Sequence, residues 1–184
     1  MQGDRGQSRD SVSVHKQSAP VGLIERAVES ASWRIEKFAD DAAYVRGESY
    51  AVSEIEGNLL LNEGIAALLL LLIGGGGDAY SNGNTYLGVG DSSTAAAAAQ
   101  TGLQAAANKL WKAMEVDYPT SPPANEQVIF RSVFTGAEAN YAWEEFTVVN
   151  AATDAGDNLC RKISSEGTKE VGETWTLTYT MTLA

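Results

Sequence analysis

Apolar and polar residues alternate most regularly near the C-terminal end of the chain. In ETWTLTYTMTLA, Trp175, Leu177, Tyr179, Met181 and Leu183 share one parity, and Thr174, Thr176, Thr178, Thr180 and Thr182 share the other. A period of two sets these groups on opposite faces of a strand. Threonine is β-branched and tolerates water, so the pattern predicts a strand with one buried face. Shorter strand candidates precede it at residues 85–89, 110–116, 128–134, 141–149 and 159–163, with a Pro-rich loop over 117–126. Five or six short strands separated by turn signals predict a mostly β fold, an antiparallel β-sandwich.

Two further patterns have helical character. NLLLNEGIAALLLLLIGGGG (58–77) reads as a buried helix stopped by glycines, which adopt a left-handed cap without a Cβ penalty. The alanine-rich stretch 95–107 reads as a second short helix, weakened by Gly102. The region 21–57 carries two signals at once. Ile24, Val28, Ala31, Ile35, Phe38, Ala42 and Val45 recur at spacings of four and three, as on a helix, while SWRIEKF and ESYAVSEIEG alternate as strands do. The reading here is a helix over about 21–32 and extended segments near 33–38 and 48–56. Residues 1–20, MQGDRGQSRDSVSVHKQSAP, have too few apolar side chains to offset their ordering entropy, so they read as a flexible arm. The organisation expected is therefore an arm at 1–20, a mixed helix/extended docking segment at 21–57 and a sandwich at 58–184.

Composition narrows the function more by exclusion than by suggestion. The chain has 184 residues, 44% of them apolar, and a net charge of −11 from 24 acidic and 13 basic side chains. An acidic surface repels phosphate backbones, so no nucleic-acid partner is expected. One cysteine and one histidine exclude an internal disulfide, a cysteine zinc cage and a His-based triad. The greasy run 64–73 spans roughly 15 Å as a helix, about half a bilayer core, so no membrane partner is expected either. The first twenty residues lack the apolar segment of a secretory signal.

Candidate chemistry yields to plainer readings. Gly88-Val-Gly90-Asp91-Ser92-Ser93 starts like a phosphate-binding loop but has Ser93 in place of the third glycine, and reads as a strand-ending turn. Asp78 to Asn84 opens like a calcium loop, yet Tyr80 and Val89 stand where ligands belong, so an Asn82-Gly83 turn is expected. The acidic pairs Asp40-Asp41 and Glu144-Glu145 do not converge by adjacency. On a strand one of Glu144 and Glu145 must turn inward. Cys160 reads as a packed side chain despite Arg161 and Lys162 beside it, and Trp111, Trp143 and Trp175 as core anchors. No catalytic residue, cofactor or metal site is expected. The candidate docking residues are Arg5, Arg9, Val12, Val14, His15 and Lys16, a basic stretch on an otherwise acidic chain.

Taken in order, LLLNEGI, GVGDSSTAAAAAQTGLQ, EANYAWEEFTVVNA and GETWTLTYTMTL resemble a group of virion structural proteins from tailed bacteriophages. The resemblance covers about residues 58–184: a GxGD-type strand end at Gly88–Asp91, an EAN turn at Glu138–Asn140, a W-x-E strand at Trp143–Glu145 and a TWTL pattern at Thr174–Leu177. It implies a non-enzymatic virion component, assembled in the host cytoplasm. The leading expectation is a capsid decoration or cement protein that docks on other virion proteins by its arm and self-associates. The alternative is a tail or fibre-associated module whose loops near 74–84 and 117–126 meet a host receptor or glycan. An enzyme, such as a depolymerase, would need carboxylates converging in a cleft.

Overall fold

The structure, a computed structural model, describes residues 29–123 and 126–183. Among the described residues nine strands form two antiparallel sheets: β1 (Glu29–Phe38), β2 (Ser49–Glu56), β3 (Leu59–Leu60), β4 (Tyr86–Gly90), β5 (Lys109–Ala113), β6 (Gln127–Phe134), β7 (Glu145–Val149), β8 (Asn158–Ile163) and β9 (Thr174–Leu183). Two helices accompany them, α1 (Asp41–Arg46) and α2 (Asn62–Leu72). One sheet has the order β2-β1-β9-β6, the other β3-β8-β7-β4-β5. This is the mostly β, antiparallel β-sandwich fold, with two short helices.

The first and last described strands lie side by side. β1 pairs with β9 along its whole length, from Glu29 opposite Leu183 to Phe38 opposite Thr174. Residues 29–56 thus contribute half of the first sheet and belong to the sandwich, which was expected over 58–184. The expected helix over 21–32 is corrected where it is described: residues 29–32 are strand, and 21–28 lie outside the described residues. Burial on both faces of β1 explains the misleading periodicity. Ala31, Trp33 and Ile35 alternate inward, and Phe38, of the opposite parity, is buried on the other face against Tyr44 of α1, with ring centroids 5.3 Å apart. The resulting 31-35-38 spacing imitates a helical seam.

The core is an aromatic stack between the sheets. Trp33 meets Tyr179 at 4.5 Å and Phe146 at 5.8 Å, while Trp143 meets Trp175 and Phe134 at 4.9 Å each. Such pairs add to the free energy of burying large rings. Trp175, Leu177, Tyr179 and Met181 all face this core, as the alternation predicts. The opposite face departs from expectation at one end, because Thr174 and Thr176 are buried too; the solvent-tolerant threonines are Thr178, Thr180 and Thr182. Leu183 shares the core parity but is exposed at the sheet end.

Three more readings need correction. Residues 95–107 form no helix: Gly102 sits at φ +120, and the segment instead lies across the second sheet with Leu103 and Ala105 buried. Gly88 and Gly90 are within β4 rather than in a turn after it. A Cβ on Gly88 would stand 2.7 Å from the Thr147 side chain, and one on Gly90 would stand 2.6 Å from the Glu145 carboxylate. Helix α1 was not foreseen, although its signals are plain: Asp40 caps Ala43 N–H at 2.7 Å and Gly47 closes the helix in the left-handed region.

Replacing Leu177 with Ala should cost about 2–5 kcal/mol through the cavity it opens. Thr178→Ala, on the half-exposed face, should cost much less. Denaturant titrations of the two variants check this, and equal losses would show that the face is wrongly assigned.

Candidate docking surface

The outer face of the second sheet is where polar chemistry is concentrated. Glu145 and Arg161, on neighbouring strands β7 and β8, are both fully buried there. Arg161 Nε donates to Glu145 Oε2 at 2.7 Å, its Nη2 lies 2.6 Å from the same oxygen, and its Nη1 donates to Gln100 Oε1 at 2.9 Å. The other carboxylate oxygen accepts the backbone N–H of Gln104 at 2.9 Å and of Ala105 at 2.7 Å. The N–H groups that a 95–107 helix would have turned on its own carbonyls are spent on Glu145. Asp154 completes the clamp, accepting Leu103 N–H at 3.1 Å and the Lys109 ammonium at 3.2 Å.

This cluster holds a loop rather than presenting reactive groups. Glu144 and Glu145 point apart, and Glu144 accepts Ser165 Oγ at 2.8 Å. Asp40 caps α1, and Asp41 accepts the Thr174 hydroxyl. Cys160 is buried in the core. Beside Arg161 an open cleft of about 500 Å³ is lined by Asn58, Leu59, Ser93, Ala96, Lys162 and Ile163. The Lys162 ammonium is already committed to the Glu56 carbonyl at 2.5 Å. Among the described residues, no group of three or more His, Cys, Asp or Glu side chains could hold a metal ion. Asp78 and Asn82 serve turns: Asp78 offers its carbonyl to Asn150, and Asn82 Nδ2 reaches Glu115 and Tyr118 carbonyls at 2.9 and 2.6 Å.

A second polar cluster fixes the 135–141 turn, where Ala139 adopts φ +50. Buried Lys169 donates to Thr135 O and Asn140 Oδ1, at 2.8 Å each. Burial lowers its pKa, against the upward pull of the Glu173, Glu138 and Asp41 carboxylates. Glu138 accepts the Lys112 ammonium at 2.6 Å and Thr135 N–H at 2.9 Å. Partial burial would raise the Glu138 pKa, but these donors outweigh it and the net shift is downward.

The surface feature that stands out is α2. It was expected to be buried, and it is not. Gly64 and Ala67 are its buried residues, and Gly64 is needed because a Cβ would stand 2.4 Å from Leu159 Cα. Close packing on β8 uses that one narrow stripe. Leu69 is 58% exposed, Leu72 81% and Ile73 77%, with Ile65 and Leu70 also open to solvent. No charged residue falls between Gly64 and Gly77. No helix among the described residues is long and apolar enough to cross a membrane. The glycine stop is as expected, with Gly74 at φ +67.

The candidate docking residues Arg5, Arg9, Val12, Val14, His15 and Lys16 lie outside the described residues. Trp143 and Trp175 are core anchors, whereas Trp111 is half-buried on the outer face, under the Lys109 ammonium at 5.4 Å. Sequence reasoning missed the Gln100–Arg161–Glu145 chain and Lys169. The one available signal was that either Glu144 or Glu145 had to point inward and would need a cation. Compared with protein-family models, curated proteins and solved structures, the chain matches none.

Two outcomes test these clusters. Glu145→Ala strands a buried guanidinium and should cost about 3–5 kcal/mol, with residues 91–108 becoming open to limited proteolysis. An unchanged unfolding midpoint would sink the clamp. For Glu138 the folded pKa is lowered, so its stabilising contribution is complete above the ordinary glutamate value, about 4.3, and is lost as pH falls through the folded value. Glu138→Gln should therefore flatten the acid limb of a stability–pH profile below that value and leave the neutral region's slope unchanged.

Proposed function

We propose that this chain is a structural, non-enzymatic component of a tailed-phage virion, and specifically a capsid decoration or cement subunit bound to other virion proteins. The observation that carries this is the apolar face of α2. Burying a leucine or isoleucine contributes about 1.5–3 kcal/mol, so five such side chains left in water mark a surface built for a partner. The polar groups of the interior, by contrast, are spent on holding loops. The order of motifs from LLLNEGI to TWTLTYTMTL supplies the class of assembly. The acidic composition favours an outward-facing shell position over one against packaged DNA, and it argues against a nucleic-acid partner. The chain self-associates on this reading, and the arm residues Arg5, Arg9, Val12, Val14, His15 and Lys16 contribute to docking.

One observation favours the tail or fibre alternative. Asn82 ties the 74–84 loop to the carbonyls of Glu115 and Tyr118, so both loops suited to meeting a receptor or glycan lie together.

Leu69→Glu with Leu72→Glu should leave the melting temperature within a degree or two, because both side chains are already solvated. Co-sedimentation with particles lacking the protein should fall at least tenfold. Undiminished binding of the variant would remove α2 from the docking surface, and immunogold labelling of heads or tails separates the two readings.

A further inference from the structure

β2 is an open sheet edge. Among the described residues it pairs with β1 alone, so beyond a bulge at Tyr50 every second residue up to Glu56 turns its backbone N–H and C=O outward. Its exposed face begins apolar and ends acidic, with Tyr50 and Val52 followed by Glu54 and Glu56. Glu48 precedes the strand; it is ion-paired with Arg46, and Glu54 with Arg34, both pairs exposed, while Glu56 adds a further carboxylate. These carboxylates repel a second β2 edge, which guards against edge-to-edge pairing of like copies. They do not guard against a basic strand.

The sequence of the N-terminal arm has the pattern of one. In RDSVSVHK (9–16), Val12, Val14 and Lys16 share one parity, and Arg9 adds a second cation. We propose that residues 11–16 of a second copy of this chain add to the open edge of β2 as a parallel strand. In that register Val12 lies beside Tyr50, Val14 beside Val52 and Lys16 beside Glu54. Apolar meets apolar, and the ammonium meets a carboxylate. The antiparallel register centred on Val14 and Val52 would instead set Val12 against Glu54 and Lys16 against Tyr50, and the one that sets Val14 beside Tyr50 and Val12 beside Val52 carries Lys16 past the strand end to Glu48, which Arg46 already holds.

Reach permits the exchange. Thirteen residue steps separate Lys16 from Glu29, where β1 starts, and an extended chain of that length covers roughly 40 Å. The ten-residue strand β9 spans roughly 33 Å, so an arm can leave its own sandwich and reach another. The contact joins different patches on donor and acceptor, so it propagates around a ring or across a shell without requiring a two-fold axis. The inference rests on the reading of the arm as a docking element, and it names the surface that receives it.

Complementation between full-length variants tests it. Val14→Pro disables the donor strand, and Val52→Lys with Glu54→Lys disables the acceptor edge at exposed positions. Sedimentation velocity should show wild type self-associating in a concentration- and salt-dependent way, each variant monomeric, and their mixture a one-to-one heterodimer. Hydrogen exchange should slow at the outward amides of β2 in the Val14→Pro partner of that heterodimer. A wild type that stays monomeric at its highest soluble concentration, whether or not β2 is protected by its own arm, overturns the proposal. So does self-association by either variant alone. Parallel co-sedimentation with particles keeps the two ideas separable. If particle binding persists without complementation, this contact falls and the virion role stands; complementation without particle binding does the reverse.

Discussion

The fold of the second sheet turns on a buried ion pair. A carboxylate on β7 and a guanidinium on β8 would each be costly to desolvate alone, and attraction between them repays that cost only when their remaining hydrogen-bonding capacity is met. Here the chain that covers them meets most of it, Arg161 Nη2 being left with its 2.6 Å ion-pair approach to Glu145 alone. Gln104 and Ala105 give their N–H groups to Glu145, and Gln100 gives its carbonyl oxygen to Arg161. The loop 91–108 therefore cannot lift without exposing two charges to incomplete solvation, and the charges cannot stay paired without the loop. Gly90 belongs to the same constraint, since a side chain there would occupy the space of the Glu145 carboxylate.

What this arrangement produces is a sandwich in which one sheet is covered on both faces. The inner face packs on the aromatic stack, and the outer face lies under the pinned loop. The first sheet is treated differently. Its outer face carries Thr178 and the charged side chains Arg34, Glu36, Glu54 and Arg131, joined in ion pairs of which the exposed ones, such as Arg34–Glu54, contribute little each. Stability comes from the core and the pinned face, so the outer face of the first sheet, the β2 edge and α2 are free to vary in what they meet.

The sequence was legible wherever one physical rule acted alone. β9 could be read because a ten-residue strand with one buried face obeys a period of two, and the glycine stop of α2 because left-handed caps favour glycine. Legibility failed where a tertiary partner overrode local preference. Alanines 95–99 have high helix propensity, yet the following amides find a better acceptor in Glu145, forty residues away. The 31-35-38 spacing misled because Phe38, on the other face of β1, is buried against α1, and pattern alone cannot distinguish burial on both faces from a helical turn. Leucines 68–72 suggested burial on hydrophobicity, but the space on β8 admits Gly64 and Ala67, Leu68 packs only in part against the core, and Leu69, Leu70 and Leu72 stay exposed. As for the candidate site, the arm was chosen on composition, and neither α2 nor the β2 edge could be marked as a surface without the fold that leaves them open.

The two open features differ in the kind of partner each admits. The face of α2 carries no charge from Gly64 to Gly77, so it offers no electrostatic selectivity; whatever buries it gains area and loses little to desolvation. The β2 edge is the converse, a row of backbone groups flanked by Glu48, Glu54 and Glu56 on a chain of net charge −11. Like charge disfavours a second acidic edge there and favours a short basic strand, and that preference weakens as salt screens it. An apolar face supplies affinity without direction, whereas a guarded edge supplies direction and register at modest affinity. A subunit bearing both can therefore bind a surface firmly through one and set its spacing to a neighbour through the other, a division of labour that neither feature could provide alone.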